Sequence, residues 1–176
     1  MRFYSLDVET ANHDHSSMCQ IGVGVFEDLV LVDTWKSFID PQDSFHWFMI
    51  NIHGITANHV KGMPTFPMVY PFLRKMFENS IVVHHTQFDR IAFRKAYDKY
   101  NLEPFPAHWL DSAQVARNTW KEYGDGGFNL EHIAYRLGIE FQHHDALEDA
   151  VACGKVVVEA IKNKGVQLDK WLSYEK

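Results

Sequence analysis

Residues 2–9 read Arg-Phe-Tyr-Ser-Leu-Asp-Val-Glu, and the same β-branched and aromatic character returns twice. Residues 18–26 read Met-Cys-Gln-Ile-Gly-Val-Gly-Val-Phe, and residues 29–39 read Leu-Val-Leu-Val-Asp-Thr-Trp-Lys-Ser-Phe-Ile. These runs predict strands over Arg2–Glu9, Met18–Phe26 and Leu29–Ile39, the side chains that suit a pleated, half-buried surface. Glu27-Asp28 predicts a tight turn between the last two, so the chain opens as an antiparallel meander that Pro41 ends.

Outward from that meander the pattern changes. Residues 42–64 are irregular, with Phe45, Trp47 and Phe48 and a short helical stretch near Ala57–Val60. A connection this long is expected to be functional or to carry small helices of its own. Thr65–Phe77 predicts a helix that tolerates Pro67 in its first turn, although Pro71 works against its early part. A short buried strand is expected at Ile81–His84, a helix at Phe88–Tyr100, another strand at His108–Leu110 and a helix from Ser112. Asn129 caps a helix that Gly138 ends, and Asp145-x-x-Glu148 opens a last helix reaching Asn163. Three meander strands followed by alternating helix and strand imply an α/β architecture, a mixed sheet flanked by helices.

Chemistry enters on the first strand. Asp7 and Glu9 are two apart, so both point to one face, their Cα atoms roughly 6.5 Å from each other. Alone, the pair reads better as the solvated acidic face of an edge strand. Asp149 lies one turn into the last helix among Ala150, Val151 and Cys153, where it either meets the helix dipole or joins a site. His144 precedes it by five residues on the entry loop. Asp89 follows the strand at 81–84, in a place that suits a helix N-cap and equally a group delivered at a strand end. Together, four acids and one histidine form a coherent set for phosphodiester hydrolysis with two divalent ions. Carboxylates suit Mg²⁺ or Mn²⁺, such ion pairs activate water and stabilise a leaving oxygen, and a histidine can take the water's proton.

Composition narrows the alternatives. The 176 residues suit one domain, 46% are hydrophobic and 23% charged, and the formal net charge is −6. That charge weighs against a sequence-blind grip on duplex nucleic acid, although two divalent ions would bring four positive charges to the place where phosphate must approach. Cys19 and Cys153, in apolar stretches without ligand spacing, predict buried free thiols. No apolar run is long enough to cross a membrane, and a strand starting at Arg2 leaves no room for a signal peptide; a cytoplasmic location is expected. There is no G-x-S-x-G elbow, Walker loop or Rossmann fingerprint. His13, His15 and the cations Lys61, Arg74, Lys75, Arg90, Arg94, Lys95 and Lys99 read as solvated surface, with phosphate tracking by the cations as the sharper alternative.

At these residues the chain resembles the DEDD exonucleases, in the histidine-bearing DEDDh branch related to the epsilon subunit of DNA polymerase III, ribonuclease T and oligoribonuclease. Asp7-Val8-Glu9-Thr10 resembles the first motif, and Ile52-His53-Gly54-Ile55-Thr56 with Pro64-Thr65-Phe66 the loop after the third strand. His84-His85-Thr86-Gln87-Phe88-Asp89 resembles the second motif, Trp109-Leu110-Asp111-Ser112 with Arg117 the segment after it, and His144–Ala150 the third. Five matches in order cover nearly the whole chain.

The resemblance implies a ribonuclease H-like fold with a five-stranded mixed sheet, a three-stranded antiparallel meander plus two parallel strands, and one exonuclease domain over residues 1–176. It implies that Asp7, Glu9 and Asp149 hold a first ion, that Asp7 bridges to a second, and that Asp89 holds the second directly or through water. His144, rather than His143, would be the general base. Thr10, His53, Ile55 and Phe88 would meet the terminal nucleotide, though plain core packing suits Ile55 and Phe88 almost as well. Trp47 and Phe48 fit a groove lining, a buried loop cluster or a dimer contact equally. His85 departs from the pattern, standing where the family usually has Asn, and this bears on substrate contacts more than on metal binding. The expected substrate is a single-stranded nucleic acid 3′ end, DNA before RNA. The short stretch after the third motif leads to the expectation of a stand-alone enzyme. A homodimer, as in several relatives, is compatible with the chain, without any sequence feature that demonstrates it. The rivals are an RNA exonuclease or oligoribonuclease, an internal cutter of the ribonuclease H type, and an inactive module that binds nucleic acid ends.

Overall fold

A computed structural model describes residues 1–165 and 168–172; the expected domain span of 1–176 extends beyond them. The meander forms as β1 (Arg2–Thr10), β2 (Met18–Glu27) and β3 (Val30–Phe38), followed by β4 (Ile81–His84) and β5 (His108–Asp111). The strand order is β3-β2-β1-β4-β5. β1 runs antiparallel to β2 and parallel to β4, and β4 runs parallel to β5. The turn between β2 and β3 is Asp28-Leu29, one residue later than expected, closed by the pair Glu27–Val30. Both residues have positive φ, 48° and 68°, as a two-residue hairpin loop that follows the strand twist requires.

The central place of β1 corrects the edge-strand reading of Asp7 and Glu9. Both faces of β1 are covered. Tyr4, Leu6 and Val8 enter a core shared with α3 (Phe66–Phe77) and α4 (Phe88–Tyr100), while Phe3 enters a second core with α5 (Ser112–Thr119), α6 (Leu130–Leu137) and α7 (Ala146–Lys164). Two acids on a central strand are costly unless protons, partners or metal neutralise them.

α3 forms through Pro71. That residue lies on the exposed side, where a carbonyl without its helix partner can meet water, while Phe66, Val69, Tyr70, Leu73 and Phe77 bury the other side. The irregular 42–64 stretch carries two short helices, α1 (Trp47–His53) and the expected α2 (Ala57–Val60). No residue of α1 is buried, and its apolar residues Trp47–Ile50 run together without helical spacing, so no periodic stripe marked it in the sequence; the His46 side chain accepts the Phe48 N–H at its start and Gly54, with φ 74°, ends it. A last short helix, α8 (Leu168–Trp171), follows α7.

α7 settles on β1 and β2 because glycine lets it. A Cβ on Gly22 would stand 2.2 Å from the Ala146 carbonyl oxygen, at the first turn of α7. Close approach there sets the height of Asp149, three residues on, above the sheet.

Candidate active site

Beyond the paired stretch of β1 and β4, which matches Tyr4 with Val82 and Ser5 with Val83, the Val8 N–H has no strand partner there. Asp89 supplies one: its Oδ1 accepts that N–H at 3.0 Å. Gln87 is the N-cap of α4, so Asp89 stands inside the first turn with its side chain turned to β1 instead of capping the helix, and it is buried. α7 brings the last acid from the opposite side. Its start is pinned by Asp145, which accepts the N–H groups of Leu147 and Glu148. The Gln20 side chain accepts the Ala146 N–H at 2.9 Å, and Lys36 meets Asp145 at 2.9 Å.

The result is a cluster in which Asp7, Glu9 and Asp149 each offer an oxygen within 4.8 Å of the others. Asp89 stands outside this triad of oxygens but close enough for its charge to act on Asp7. Burial raises the Asp7 carboxyl well above the ordinary range, and the charges of Asp89, Asp149 and Glu9 add to the effect. Burial first, then Asp149, pushes Glu9 up to about 8. Burial pushes Asp89 up to about 7 against the hydrogen bond from Val8, and raises Asp149 against the opposing pull of His143. Four acids that resist ionising together are a site short of positive charge. Hard oxygen donors at this spacing fit a divalent cation.

Two adjacent histidines meet Asp149 differently. The His143 ring holds it through Nδ1, 2.6 Å from Oδ1, while His144 donates its backbone N–H to Oδ2 at 2.7 Å. His144 reaches that geometry with φ 68°, in the left-handed region. Its exposed ring stacks on His143 with centroids 4.0 Å apart, and burial and His143 lower its pKa. The sequence spacing singled out His144 and missed the hold of His143 on Asp149; only the His-His pair itself hinted at it.

A cleft of about 410 Å³ opens over the acids, within the range of small-molecule sites. Asp7, Glu9, Thr10, Phe88, His144 and Asp149 line it. Phe88 is 37% exposed and packs against the His15 ring at 5.0 Å, so it is available to a ligand and not core. Ile55 is core: it is buried with Ala11, Cys19 and Val60. Met49 and Ile52 of α1 line the cleft in its place, at the i, i+3 spacing of one helix face. His53 has both ring nitrogens engaged, Nδ1 accepting the Ile55 N–H at 2.9 Å and Nε2 donating to the Thr10 carbonyl at 3.1 Å. It fastens the end of β1 to the 54–55 turn. Trp47 and Phe48 are exposed.

His85 is likewise occupied within the protein. Nδ1 meets the Ser112 hydroxyl at 2.7 Å, Nε2 donates to the Phe128 carbonyl at 2.9 Å, and burial lowers its pKa to about 4. It ties the end of β4 to the segment before α6. Cys19 and Cys153 are buried free thiols, and among the described residues no helix is long and apolar enough to cross a membrane.

Residues 5–157 match the model of the RNase_T family, described as exonuclease. DNA polymerase III PolC-type of Streptococcus thermophilus (strain ATCC BAA-491 / LMD-9) is 29% identical over 161 residues, and that of Clostridium perfringens (strain 13 / Type A) is 27% identical over 170. These alignments cover 89% and 93% of this chain but 11% of each polymerase, so the chain spans about a ninth of these relatives. Among solved structures, E. coli exonuclease I with a dT13 oligonucleotide superposes with a TM-score of 0.81 at 17% identity, covering 99% of this chain and 44% of that one. Exonuclease X with 5′ overhanging duplex DNA gives 0.76 at 17% identity, covering 97% and 98%. The nuclease domain of 3′hExo, a DEDDh family member bound to rAMP, gives 0.78 at 17% identity, covering 93% and 92%. The fold is thus ribonuclease H-like, and the matched span of residues 5–157 makes the chain a member of the RNase_T exonuclease family.

Proposed function

We propose that the protein removes nucleoside 5′-monophosphates from the 3′ end of single-stranded nucleic acid, DNA by preference, with Asp7, Glu9, Asp89 and Asp149 as metal-binding acids and His144 as general base. The observation that carries the reading is the convergence of oxygens from Asp7, Glu9 and Asp149 within 4.8 Å on a central, otherwise apolar strand and the helix laid across it. Asp7, Glu9 and Asp149 would hold one divalent ion, Mg²⁺ or Mn²⁺, and Asp7 with Asp89 a second, the pair supplying water activation and charge stabilisation at the leaving 3′-oxygen. His144 is disposed to take a proton: its lowered pKa keeps the ring neutral near pH 7, and its ring lines the cleft. His143 positions Asp149. Phe88, Met49 and Ile52 offer apolar contact to the terminal base whatever its identity, and Thr10 lies beside them at the end of β1.

The relationship to DNA polymerases of the PolC type supports DNA as the substrate, while the likeness to a nuclease domain bound to rAMP keeps RNA as the second reading. The test uses 5′-labelled DNA and RNA of one sequence, with Mg²⁺, Mn²⁺ or EDTA, beside Asp7→Ala. A metal-dependent ladder shortening from the 3′ end, faster on DNA and absent in the variant, is expected. Faster loss of RNA would reassign the substrate. Binding without cleavage of either would overturn the enzymatic reading in favour of an end-binding module.

A further inference from the structure

A second cavity, about 460 Å³, is lined by residues of α4, of the edge strand β5 and of the segment that joins them. Gln87, Arg90 and Arg94 come from successive turns of α4, and Phe105 and Trp109 belong to the aromatic wall facing them. Nothing in the acid cluster uses these groups.

The charge here runs against the molecule as a whole. In a chain of net charge −6, α4 concentrates Arg90, Arg94, Lys95 and Lys99 within 13 residues. Lys95 and Lys99 act on Asp14, across the loop that follows β1, whereas Arg90 and Arg94 turn toward the cavity. Arg94 is exposed and, among the described residues, makes no ion pair. Four residues of helix place the Cα atoms of Arg90 and Arg94 about 6 Å apart along the axis, on one face of α4. Trp109 is half-buried on β5, its ring 5.9 Å from that of Phe93, and offers an aromatic surface for a base. Gln87 joins this cavity to the active-site cleft, because its neighbours Thr86 and Phe88 line the latter.

From this arrangement we infer that the α4–β5 groove is a second nucleic-acid subsite, in which Arg90 and Arg94 hold phosphates of the substrate strand on the 5′ side of the nucleotides seated at the acids, with Trp109 stacking on a base. The inference rests on the nuclease reading above and adds a length requirement: substrates too short to reach the groove gain nothing from it.

The test compares a dinucleotide with a single strand of about 12 nucleotides, a span such grooves cover. Arg94→Gln and the double variant Arg90→Gln/Arg94→Gln are used, with thermal melts to confirm folding; the single variant leaves the remaining interactions of Arg90 in place. Wild type is expected to prefer the long strand. The double variant is expected to reduce the long-to-short ratio of kcat/KM about 10-fold, and Arg94→Gln to reduce it in part. Binding of the labelled long strand, followed by anisotropy in EDTA, is expected to lose about 1.4 from its log–log salt slope, two phosphates at about 0.7 each. An unchanged ratio in an active enzyme overturns the subsite. Should wild type cleave neither substrate, the nuclease reading fails, and an unchanged salt slope would still reject the groove independently.

Discussion

At the residue scale, the decisive feature is a set of carboxylates that cannot comfortably ionise together. Asp7→Asn removes a carboxyl whose ionisation burial and the neighbouring acids oppose, so the metal-free protein is expected to gain stability at alkaline pH. The same change should cost about 1,000-fold in cleavage, since a missing ligand forfeits several kcal/mol of transition-state stabilisation; melts in EDTA and steady-state kinetics check the two halves. A pH dependence follows from the raised pKa values of Glu9, to about 8, and Asp89, to about 7. The folded state binds these protons more tightly than the unfolded chain, so stability of the metal-free protein falls as pH climbs from the ordinary carboxylate range toward about 8 and levels off above it. Divalent cation should reverse the trend, raising Tm more at alkaline than at acidic pH in scans with and without Mg²⁺. His143 and His144 separate by function: His144→Ala should lower kcat about 100-fold at saturating metal, whereas His143→Ala should change the metal concentration needed and leave the saturated rate nearly intact. Equal effects would remove the distinction between a base and a positioning group. The family resemblance nominates His144 over His143, but the hold of His143 on Asp149 depends on the path of the 143–145 backbone, which no residue type announces.

At the element scale, α7 matters because it delivers Asp149 to a strand that is distant in sequence. Gly22→Ala places a methyl group against the Ala146 carbonyl and must lift the start of α7. A loss of about 3 kcal/mol in denaturant unfolding is expected, together with metal affinity weaker than stability alone explains, because Asp149 rises with the helix. Strands and helices carrying periodic apolar faces could be read from the sequence: β1, β2, α4 and the Asn129–Gly138 helix fall within a residue or so of expectation. α1 could not, since none of its residues is buried and its start depends on the His46 side chain. Its absence from that reading explains why Met49 and Ile52 went unnoticed as cleft residues, while Ile55 was set beside core packing and proves to be core. Pro71 misled in the opposite direction, because packing of five apolar side chains outweighs one missing hydrogen bond on the solvent side.

For the whole molecule, order in the sequence became convergence in space: acids at positions 7, 9 and 149 meet, with Asp89 hydrogen-bonded to β1 beside them, because β1 is central and α4 and α7 start beside its end. The motifs revealed which residues belong together but not that β1 would be covered on both faces, which turns a plausible solvated pair into a charge-starved site. Titration of Mn²⁺ into the wild-type protein and Asp149→Asn at about pH 8, followed by calorimetry, tests that conversion most directly. Saturable binding with release of protons, near two ions per wild-type chain and markedly weakened in the variant, is the expected result. Binding that is absent, or indifferent to Asp149, would contradict the assignment of the acid cluster as the metal site.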